Sequence, residues 1–198
     1  KRQQLHGSTT VATGATIGPD TTLTDMTVEA DATIIRAHGY GAVIGEGATV
    51  GPFAYLRPGT TLGKDAKLGT FCEAKNSQIG DGAKIPHLSY VGDATIGEGA
   101  NIGAGSIFAN YNGLVKNRSV IGAHARMGSA GIYVAPVTVG DGAYSGAGAL
   151  IRKDVPAGAL AYSETSQRTI EGWVLKNRAG TEPAEAAKAA GAQEPAES

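Results

Sequence analysis

The sequence predicts an all-β fold, a parallel β-helix built from six-residue repeats. Aliphatic residues return at nearly every sixth position, and the best run is Ile44, Val50, Leu56, Leu62 and Leu68. Most are followed by Gly, and a small residue usually stands two places before the next aliphatic residue. A fixed short period is the signature of a solenoid. Three hexads would make one coil, with the aliphatic residues stacked inward and the small residues at crowded corners.

Composition supports this fold class and limits the function. The chain has 30 Gly and only 6% aromatic residues, which excludes an ordinary helix bundle. Lys and Arg number 17 against 18 Asp and Glu, so no broad basic field exists and no nucleic-acid partner is expected. No stretch is long and apolar enough to span a bilayer. The single cysteine, Cys72, suits a reducing compartment, and we expect a cytoplasmic protein.

The repeat sets the expected organisation of the chain. Between Val11 and Leu150 it gives about seven coils and a height of roughly 35 Å at the usual strand spacing. The chain enters the repeat almost at once, which favours a fragment of a longer protein whose preceding domain would cover this end; the alternative is that residues 1–10 suffice as the cap. The expected segments are an irregular start (1–10), the β-helix domain (11–162) with a long loop excursion (108–120), a short C-terminal arm (163–178) and a disordered tail (179–198).

One hexad breaks its own formula. Residues 85–90 read IPHLSY, with His87 where neighbouring hexads carry an acidic residue. The aliphatic residue of each hexad points inward, while the second residue after it and the residue before the next aliphatic point outward. His87, Tyr90 and Asn101 should therefore lie on the outer surface. From register alone, a merely solvated surface imidazole remains the alternative to a working group.

The other histidines are too scattered for a metal site. His6, His38 and His124 show none of the paired or triplet spacing that zinc ligands use, so no metal is expected. No nucleophile motif or nucleotide-binding glycine loop occurs in its required context, since the glycines follow the hexad period.

Basic residues break other hexads on the outer face. Arg57 and Lys75 do so, and Lys116 lies in the loop excursion. Convergent Arg and Lys side chains can bind a phosphate, although each alone could be a solvated charge. Glu73 stands close to Lys75 in the chain and could orient that lysine or accept a hydrogen bond from a sugar hydroxyl.

The departures from the hexad carry a resemblance to a known family. They are, in order, GPFAYLRPG, FCEAKNSQIGDG, PHLSYVGDA, NIGAG, FANYNG with Lys116, VAPVTVGDGA and IEGWV, spanning about Gly51 to Arg178. This set resembles the C-terminal acetyltransferase domain of the bacterial bifunctional glucosamine-1-phosphate acetyltransferase and N-acetylglucosamine-1-phosphate uridyltransferase. The uridyltransferase half, with its Gly-rich nucleotide loop, is absent from these residues, so this chain alone is not expected to make the nucleotide sugar.

The resemblance implies a fold, a reaction and a set of roles. The β-helix should be left-handed and should form a homotrimer with active sites shared between subunits. Acetyl would pass from acetyl-CoA to the 2-amino group of glucosamine 1-phosphate, on the pathway to UDP-N-acetylglucosamine, with no metal required. The implied general base is His87. The implied substrate contacts are Arg57, Lys75, Tyr90, Asn101 and Lys116, with Glu73 beside them. The implied acetyl-CoA contacts are Ala104, Asn110, Tyr111, Ser129, Ala147 and Trp173.

Three positions depart from the family pattern. Asn112 and Ala130 stand where the family usually has Asp, and Glu164 stands where some members have Arg. They keep a second reading open, an N-acyltransferase acting on a different amino sugar or an amino-cyclitol. Two further alternatives are a zinc hydratase of the γ-carbonic anhydrase type, for which only His87 is suitably placed, and a non-catalytic trimerising scaffold, in which the His87 hexad would have no purpose.

Overall fold

Short strands wind around a three-sided prism in the computed structural model, which describes residues 2–164 and 166–193. The first strands are β1 (Gln3–His6), β2 (Thr10–Val11), β3 (Thr16–Ile17), β4 (Thr21–Thr24), β5 (Thr27–Val28), β6 (Thr33–Ile34), β7 (His38–Tyr40), β8 (Val43–Ile44) and β9 (Thr49–Val50). The middle strands are β10 (Tyr55–Leu56), β11 (Thr61–Leu62), β12 (Lys67–Thr70), β13 (Glu73–Lys75), β14 (Gln78–Ile79), β15 (Lys84–His87), β16 (Tyr90–Gly92), β17 (Ala94–Ile96) and β18 (Asn101–Ile102). The last are β19 (Ile107–Ala109), β20 (Ser119–Ile121), β21 (Arg126–Met127), β22 (Ile132–Val134), β23 (Val137–Val139), β24 (Tyr144–Ser145), β25 (Leu150–Ile151) and β26 (Leu160–Ala161).

Each strand pairs in parallel with the strand three places further along the chain, from the pair β1–β4 to the pair β22–β25. In addition, β24 pairs in parallel with β26. Three strands therefore make one coil, and the three faces of the prism are sheets of nine, eight and nine strands. We call them face A (the sheet from β1 to β25), face B (from β2 to β23) and face C (from β3 to β26). Neighbouring coils are stacked at about 4.8 Å, the usual spacing of paired strands.

The interior follows the hexad rule. Aliphatic residues that are register partners stack inside the prism, as Leu62 and Ile79 do on face B. The small residues before them fill the corners, where Ala66, Ala83 and Ala100 are fully buried. A larger side chain at these positions would collide with the adjacent coil, so the period in the sequence is a packing requirement.

The C-terminal unit, Glu164–Ser198, is separate from the solenoid unit, Lys1–Ser163. Its described residues form two helices, α1 (Trp173–Asn177) and α2 (Glu182–Ala189), which contact each other. The guanidinium of Arg178 lies 5.0 Å from the centroid of the Trp173 ring, a cation–π arrangement within this unit. Within the described ranges, no helix is long and apolar enough to cross a membrane.

Several boundaries differ from the sequence-based expectations. Residues 1–10 are not an irregular start, because β1 pairs with β4 and begins the first coil. The prism accordingly has nine coils on its longest faces rather than about seven. The excursion is shorter than 108–120, since β19 ends at Ala109 and β20 begins at Ser119.

The expected disordered tail contains a helix. In α2, Glu182 and Glu185 lie in the first turn and Lys188 in the last, where each charge is favourable to the helix dipole. The Ala-rich composition that looked like a disordered tail is also a composition that favours helix. The last part of that segment, 194–198, lies outside the described residues.

Candidate active site

The predicted base and three predicted acetyl-CoA contacts form one column along the corner between faces C and A. The side chain of His87 is exposed at the end of β15, as its register predicted. The carbonyl of His87 accepts a hydrogen bond from Gly105 N–H (3.2 Å), which places Ala104 on the coil above it. In the same way, the carbonyl of Ala104 accepts a hydrogen bond from Ala130 N–H (2.7 Å), which places Ser129 on the coil above Ala104.

The column continues upward in the same way. The carbonyl of Ser129 accepts from Gly148 N–H (2.8 Å), so Ala147 lies on the next coil. We call His87, Ala104, Ser129 and Ala147 the histidine column. Above the imidazole its side chains are small, so the column forms a low strip about 14 Å long, three coil spacings. Asn101 starts the strand that leads to Ala104 and faces outward on face C, half-buried, between Lys84 and Arg126.

A second cluster lies at the opposite edge of face A, at the corner with face B. Lys75, at the end of β13, has its Nζ 3.8 Å from Oδ2 of Asp93. The Asp93 Oδ1 accepts from Asn76 Nδ2 (2.6 Å), and its Oδ2 accepts from Asn110 Nδ2. Lys116 comes from the loop at 110–118 and meets the ammonium group of Lys75. We call Lys75, Asp93, Asn110 and Lys116 the lysine corner.

The charges of the lysine corner perturb one another. Burial of the Asp93 carboxyl raises its pKa, and the hydrogen bonds from Asn76 and Asn110 lower it. The charges of Lys75 and Lys116 add to the lowering, and the net pKa is below the ordinary value. The pKa of Lys116 is also lowered, because its ammonium lies against that of Lys75, although Asp93 acts in the other direction. Two cations around one carboxylate leave a surplus of positive charge, which suits an anion such as a phosphate.

Tyr90 reaches the lysine corner across face A. Its hydroxyl lies 3.3 Å from Asn110 Nδ2. The side chain passes directly over Gly92, where an added Cβ would lie 2.3 Å from the Tyr90 oxygen. A glycine at position 92 is therefore required for Tyr90 to take this position.

Arg57 and Glu73 form their own pair on face A. Arg57 Nη1 lies 2.9 Å from Glu73 Oε1, and both side chains are about one-third exposed. The suggestion that Glu73 orients Lys75 is therefore corrected: Glu73 pairs with Arg57, and the carboxylate beside Lys75 belongs to Asp93. Along a strand, alternate side chains point to opposite faces, so Glu73 and Lys75 share a face, but the close partners come from neighbouring coils.

The loop at 110–118 is held at its tip and its base. Asn112 Oδ1 accepts hydrogen bonds from the backbone N–H groups of Leu114 (3.0 Å) and Val115 (2.9 Å). The backbones of Tyr111 and Lys116 pair in an isolated antiparallel β-bridge, and the Tyr111 hydroxyl donates a hydrogen bond to the carbonyl of Gly113 (2.7 Å). The amide oxygen of Asn112 thus does what an Asp oxygen would do at this turn.

Arg118 fastens the base of this loop. Its Nη1 donates to the carbonyl of Ala94 (2.8 Å), and its Nη2 donates to the carbonyl of Asn76 (3.0 Å). Both carbonyls belong to residues that follow Lys75 or Asp93 directly in the chain. Arg118 therefore joins the loop that carries Lys116 to the coils that carry the rest of the lysine corner.

The remaining departures from the family pattern lie elsewhere. Ala130 is a corner residue with φ 57°, in the left-handed region that a non-Gly residue rarely adopts. It lies next to the histidine column rather than at the lysine corner. Glu164 and Trp173 belong to the C-terminal unit, in which Trp173 is half-exposed.

Large apolar side chains are exposed beside the histidine column. Phe53 and Phe71 stack with ring centroids 5.4 Å apart, and Leu88 continues the row one coil higher. All three adopt left-handed backbone angles and are more than half exposed. A recess of about 410 Å³ lies between this row and Tyr55, Tyr90 and Ile107 on face A.

Cys72 is not a candidate nucleophile. Its thiol is buried and donates to the carbonyl of Ile85 (3.3 Å). Burial raises the pKa of this thiol, which disfavours the reactive thiolate. In the described part of the chain, no three His, Cys, Asp or Glu side chains are arranged to hold a metal ion.

Three functional candidates were missed by the sequence reasoning: Gly92, Asp93 and Arg118. A signal existed for two of them. The aliphatic spacing shortens from six to five between Val91 and Ile96, and Gly92 and Asp93 occupy that shortened corner. Arg118 had no such signal, because its role depends on where the loop folds back.

Comparison with known proteins identifies the relatives of this chain. The bacterial transferase hexapeptide family (six repeats) matches residues 41–73 and 76–110. The chain is 66% identical over 187 residues to the bifunctional protein GlmU of Kineococcus radiotolerans, covering 94% of this chain and 38% of that protein. It is 60% identical over 188 residues to GlmU of Rhodococcus opacus (95% and 38%) and 58% identical over 191 residues to GlmU of Corynebacterium diphtheriae (96% and 40%). The chain thus spans about two-fifths of the length of these relatives.

Solved structures with low sequence identity share the fold. A UDP-N-acetylglucosamine acyltransferase of Arabidopsis superposes with a TM-score of 0.56 at 16% identity, over 91% of this chain and 77% of that one. LpxA of Bacteroides fragilis, also a UDP-N-acetylglucosamine acyltransferase, gives 0.53 at 14% identity, over 98% and 91%. These likenesses support the left-handed β-helix as the fold of the solenoid.

Proposed function

The chain belongs to the bacterial hexapeptide-repeat transferases, matching GlmU proteins over about two-fifths of their length, and from this premise we propose that it transfers acetyl from acetyl-CoA to the 2-amino group of glucosamine 1-phosphate. The observation that carries the proposal is the exposed imidazole of His87 at the foot of a strip of small residues. A long, flexible thioester could lie along such a strip with its acetyl group at the imidazole.

His87 is the proposed general base. An ammonium group cannot attack a thioester, so the 2-amino group must lose a proton, and an imidazole suits that task near neutral pH. The free amine then forms a bond to the acetyl carbonyl carbon, the C–S bond breaks, and CoA leaves as a thiol after taking up a proton. No covalent enzyme intermediate is needed, which agrees with the buried thiol of Cys72. The transfer also invokes no metal ion.

The lysine corner is the proposed phosphate site. Lys75 and Lys116 repel each other in the free chain, and a phosphate dianion placed between them would relieve that repulsion. Arg57 lies on the same face one coil below Lys75 and offers a planar donor fork for the same group. Tyr90 and Asn101 are proposed to contact the sugar. Asn110 and Tyr111 are proposed to contact acetyl-CoA, and the role implied for Trp173 stays a prediction.

We further propose that the active site is shared between copies in a homotrimer. Thr70, at the end of β12 on face C, is the register partner of His87. Lys75 follows Thr70 by five residues, at the far end of β13 on face A. The histidine column and the lysine corner thus lie roughly 10–15 Å apart, at opposite edges of face A. A neighbouring copy could bring its lysine corner to this copy's His87. The exposed row of Phe53, Phe71 and Leu88 offers apolar surface for such a contact.

The proposed reaction belongs in the cytoplasm, where acetyl-CoA is available. A second acceptor, another amino sugar or an amino-cyclitol, remains the alternative suggested by Ala130 and Glu164. The Asn112 departure supports it less, because this side chain caps the turn of its own loop.

A thiol-release assay tests the function. The chain is incubated with acetyl-CoA and, in turn, glucosamine 1-phosphate, galactosamine 1-phosphate, glucosamine 6-phosphate and an amino-cyclitol. We expect the highest kcat/KM with glucosamine 1-phosphate and no loss of turnover after metal chelation. A higher kcat/KM with another acceptor would favour the alternative, and loss of turnover on chelation would contradict the metal-free transfer.

The variant His87→Ala tests the base. Turnover should fall by about 10²–10⁴-fold, the usual contribution of a general base, with the oligomer intact. His124→Asn is the control, since His124 is also exposed, and Asn tolerates its left-handed backbone (φ 56°). Unchanged turnover in His87→Ala would remove this residue from the role.

A further inference from the structure

Asp93 is a carboxylate in an unusual setting. Its side chain is almost fully buried, at 6% exposure for the residue, on a prism whose other charges lie mostly outside. It stands at the A/B corner with φ 49°, in the shortened five-residue step between Val91 and Ile96. Buried carboxylates are retained where their partners satisfy them, so the partners of Asp93 indicate its role.

Those partners come from the coils on both sides. From the coil below, Asn76 Nδ2 donates to Oδ1 (2.6 Å), and Lys75 Nζ lies 3.8 Å from Oδ2. From the coil above, Asn110 Nδ2 donates to the same Oδ2. One oxygen therefore faces both Lys75 and Asn110.

We propose that Asp93 is a positioning residue of the transfer site, fixing Lys75 and Asn110 in a single arrangement through its carboxylate. This inference rests on the proposed function, in which Lys75 holds the sugar phosphate and Asn110 contacts acetyl-CoA. Asp93 touches neither substrate in this account. The positions of Lys75 and Asn110 therefore both depend on the carboxylate of Asp93.

Both oxygens of the carboxylate are needed for this role. An amide at position 93 has the same size but only one acceptor, and its NH₂ group would face the NH₂ of Asn110 or of Asn76. One of those side chains would then turn away. An amide would also leave the charges of Lys75 and Lys116 without the carboxylate between them, so mutual repulsion would move the two ammonium groups apart.

The test is Asp93→Asn in the whole chain, with Asp25→Asn as the matched control. Asp25 also has a left-handed backbone (φ 51°), and its Oδ1 accepts hydrogen bonds from the backbone and hydroxyl of Ser8 (2.9 and 3.0 Å), far down the prism from the lysine corner. In Asp93→Asn we expect the KM for glucosamine 1-phosphate to rise about 10-fold and that for acetyl-CoA several-fold, since small misplacements of substrate contacts carry such losses. The control should change neither.

The pH profile separates positioning from simple loss of structure. The titratable groups around Asp93 are Lys75 on β13, Lys116 in the loop and Tyr90 on β16. The negative charge of Asp93 favours the charged form of Lys116, so its removal lowers the pKa of Lys116 further. The KM for the sugar phosphate should therefore begin to rise at a lower pH in Asp93→Asn. Asp93→Glu keeps the charge, so its KM should rise while the pH profile stays that of the wild type.

The outcomes are distinct. An active wild type whose Asp93→Asn variant matches Asp25→Asn in both KM values and in pH profile would overturn the positioning role alone. A wild type that transfers no acetyl to any amino-sugar phosphate would overturn the proposed function and this inference with it. Should Asp93→Asn unfold, Asp93→Glu decides, because kinetics equal to those of the wild type would contradict a role that depends on the exact place of the carboxylate.

Discussion

At the scale of single residues, register decides which side chains can do chemistry. His87 is exposed because it is the second residue after an inward aliphatic residue, and this could be predicted from the sequence alone. The pairing of charges could not. Glu73 is close to Lys75 in the chain but contacts Arg57, one coil below, because side chains in a solenoid meet across coils. Contacts between coils depend on rotamers and on loop positions that the period does not encode.

The Arg57–Glu73 pair leads to a prediction about substrate binding. Arg57→Ala removes a guanidinium that can donate two hydrogen bonds to a phosphate, an interaction of about 1.5–3 kcal/mol. The KM for glucosamine 1-phosphate should therefore rise about 10–100-fold, with the KM for acetyl-CoA changed by about twofold or less. Steady-state kinetics with each substrate varied in turn measures both values.

The control for this variant is Arg36→Ala. Arg36 also faces a carboxylate, with its Nε 3.7 Å from Asp20 Oδ2, but lies lower on the prism. Its removal should leave both KM values unchanged. Equal effects of Arg57→Ala on the two substrates would argue against the phosphate role.

At the scale of elements, the hexad period predicted the strands well because it reports packing. The strands are two to four residues long, and most carry an inward aliphatic or small residue that the sequence pattern shows, whereas β19 and β22 bury Phe108 and Tyr133 instead. The first coil was missed because β1 (QQLH) has a single apolar residue, and it forms by pairing with β4. Helix α2 was missed because its Ala-rich composition was taken as evidence of disorder.

The loop at 110–118 was predicted as an excursion, but its attachment through Arg118 was not. Arg118→Ala removes hydrogen bonds to the carbonyls of Asn76 and Ala94, so the loop base should loosen and Lys116 should leave the lysine corner. We expect the KM for the sugar phosphate to rise about 3–10-fold, equivalent to one or two ordinary hydrogen bonds. The melting temperature should change little, because the loop lies outside the core.

Arg118→Lys serves as the control for charge. Lysine keeps the positive charge but lacks the fork that reaches two carbonyls, so its KM should resemble that of Arg118→Ala rather than that of the wild type. Faster amide hydrogen exchange at 110–118 in both variants would report the loosening directly. A wild-type KM in Arg118→Lys would show that charge alone matters and would contradict the clamp.

At the scale of the whole molecule, one chain holds the two halves of the proposed site at opposite edges of face A. The histidine column lies at the C/A corner, and the lysine corner lies at the A/B corner. Such an arrangement suits a cyclic oligomer, in which each interface joins one edge of a subunit to the other edge of its neighbour. The resemblance implied shared sites, and the separation of the two halves gives that implication a physical reason.

The most direct measurement of this account is complementation between His87→Ala and Lys75→Ala. Each variant alone should be nearly inactive with acetyl-CoA and glucosamine 1-phosphate. When the two are co-expressed at equal levels and purified as mixed trimers, one interface of each trimer, about a third of the total, should pair an intact His87 with an intact Lys75 from the neighbouring copy. The account predicts recovery of about a third of wild-type turnover in the mixed trimers; mixed trimers as inactive as the separate variants would contradict it.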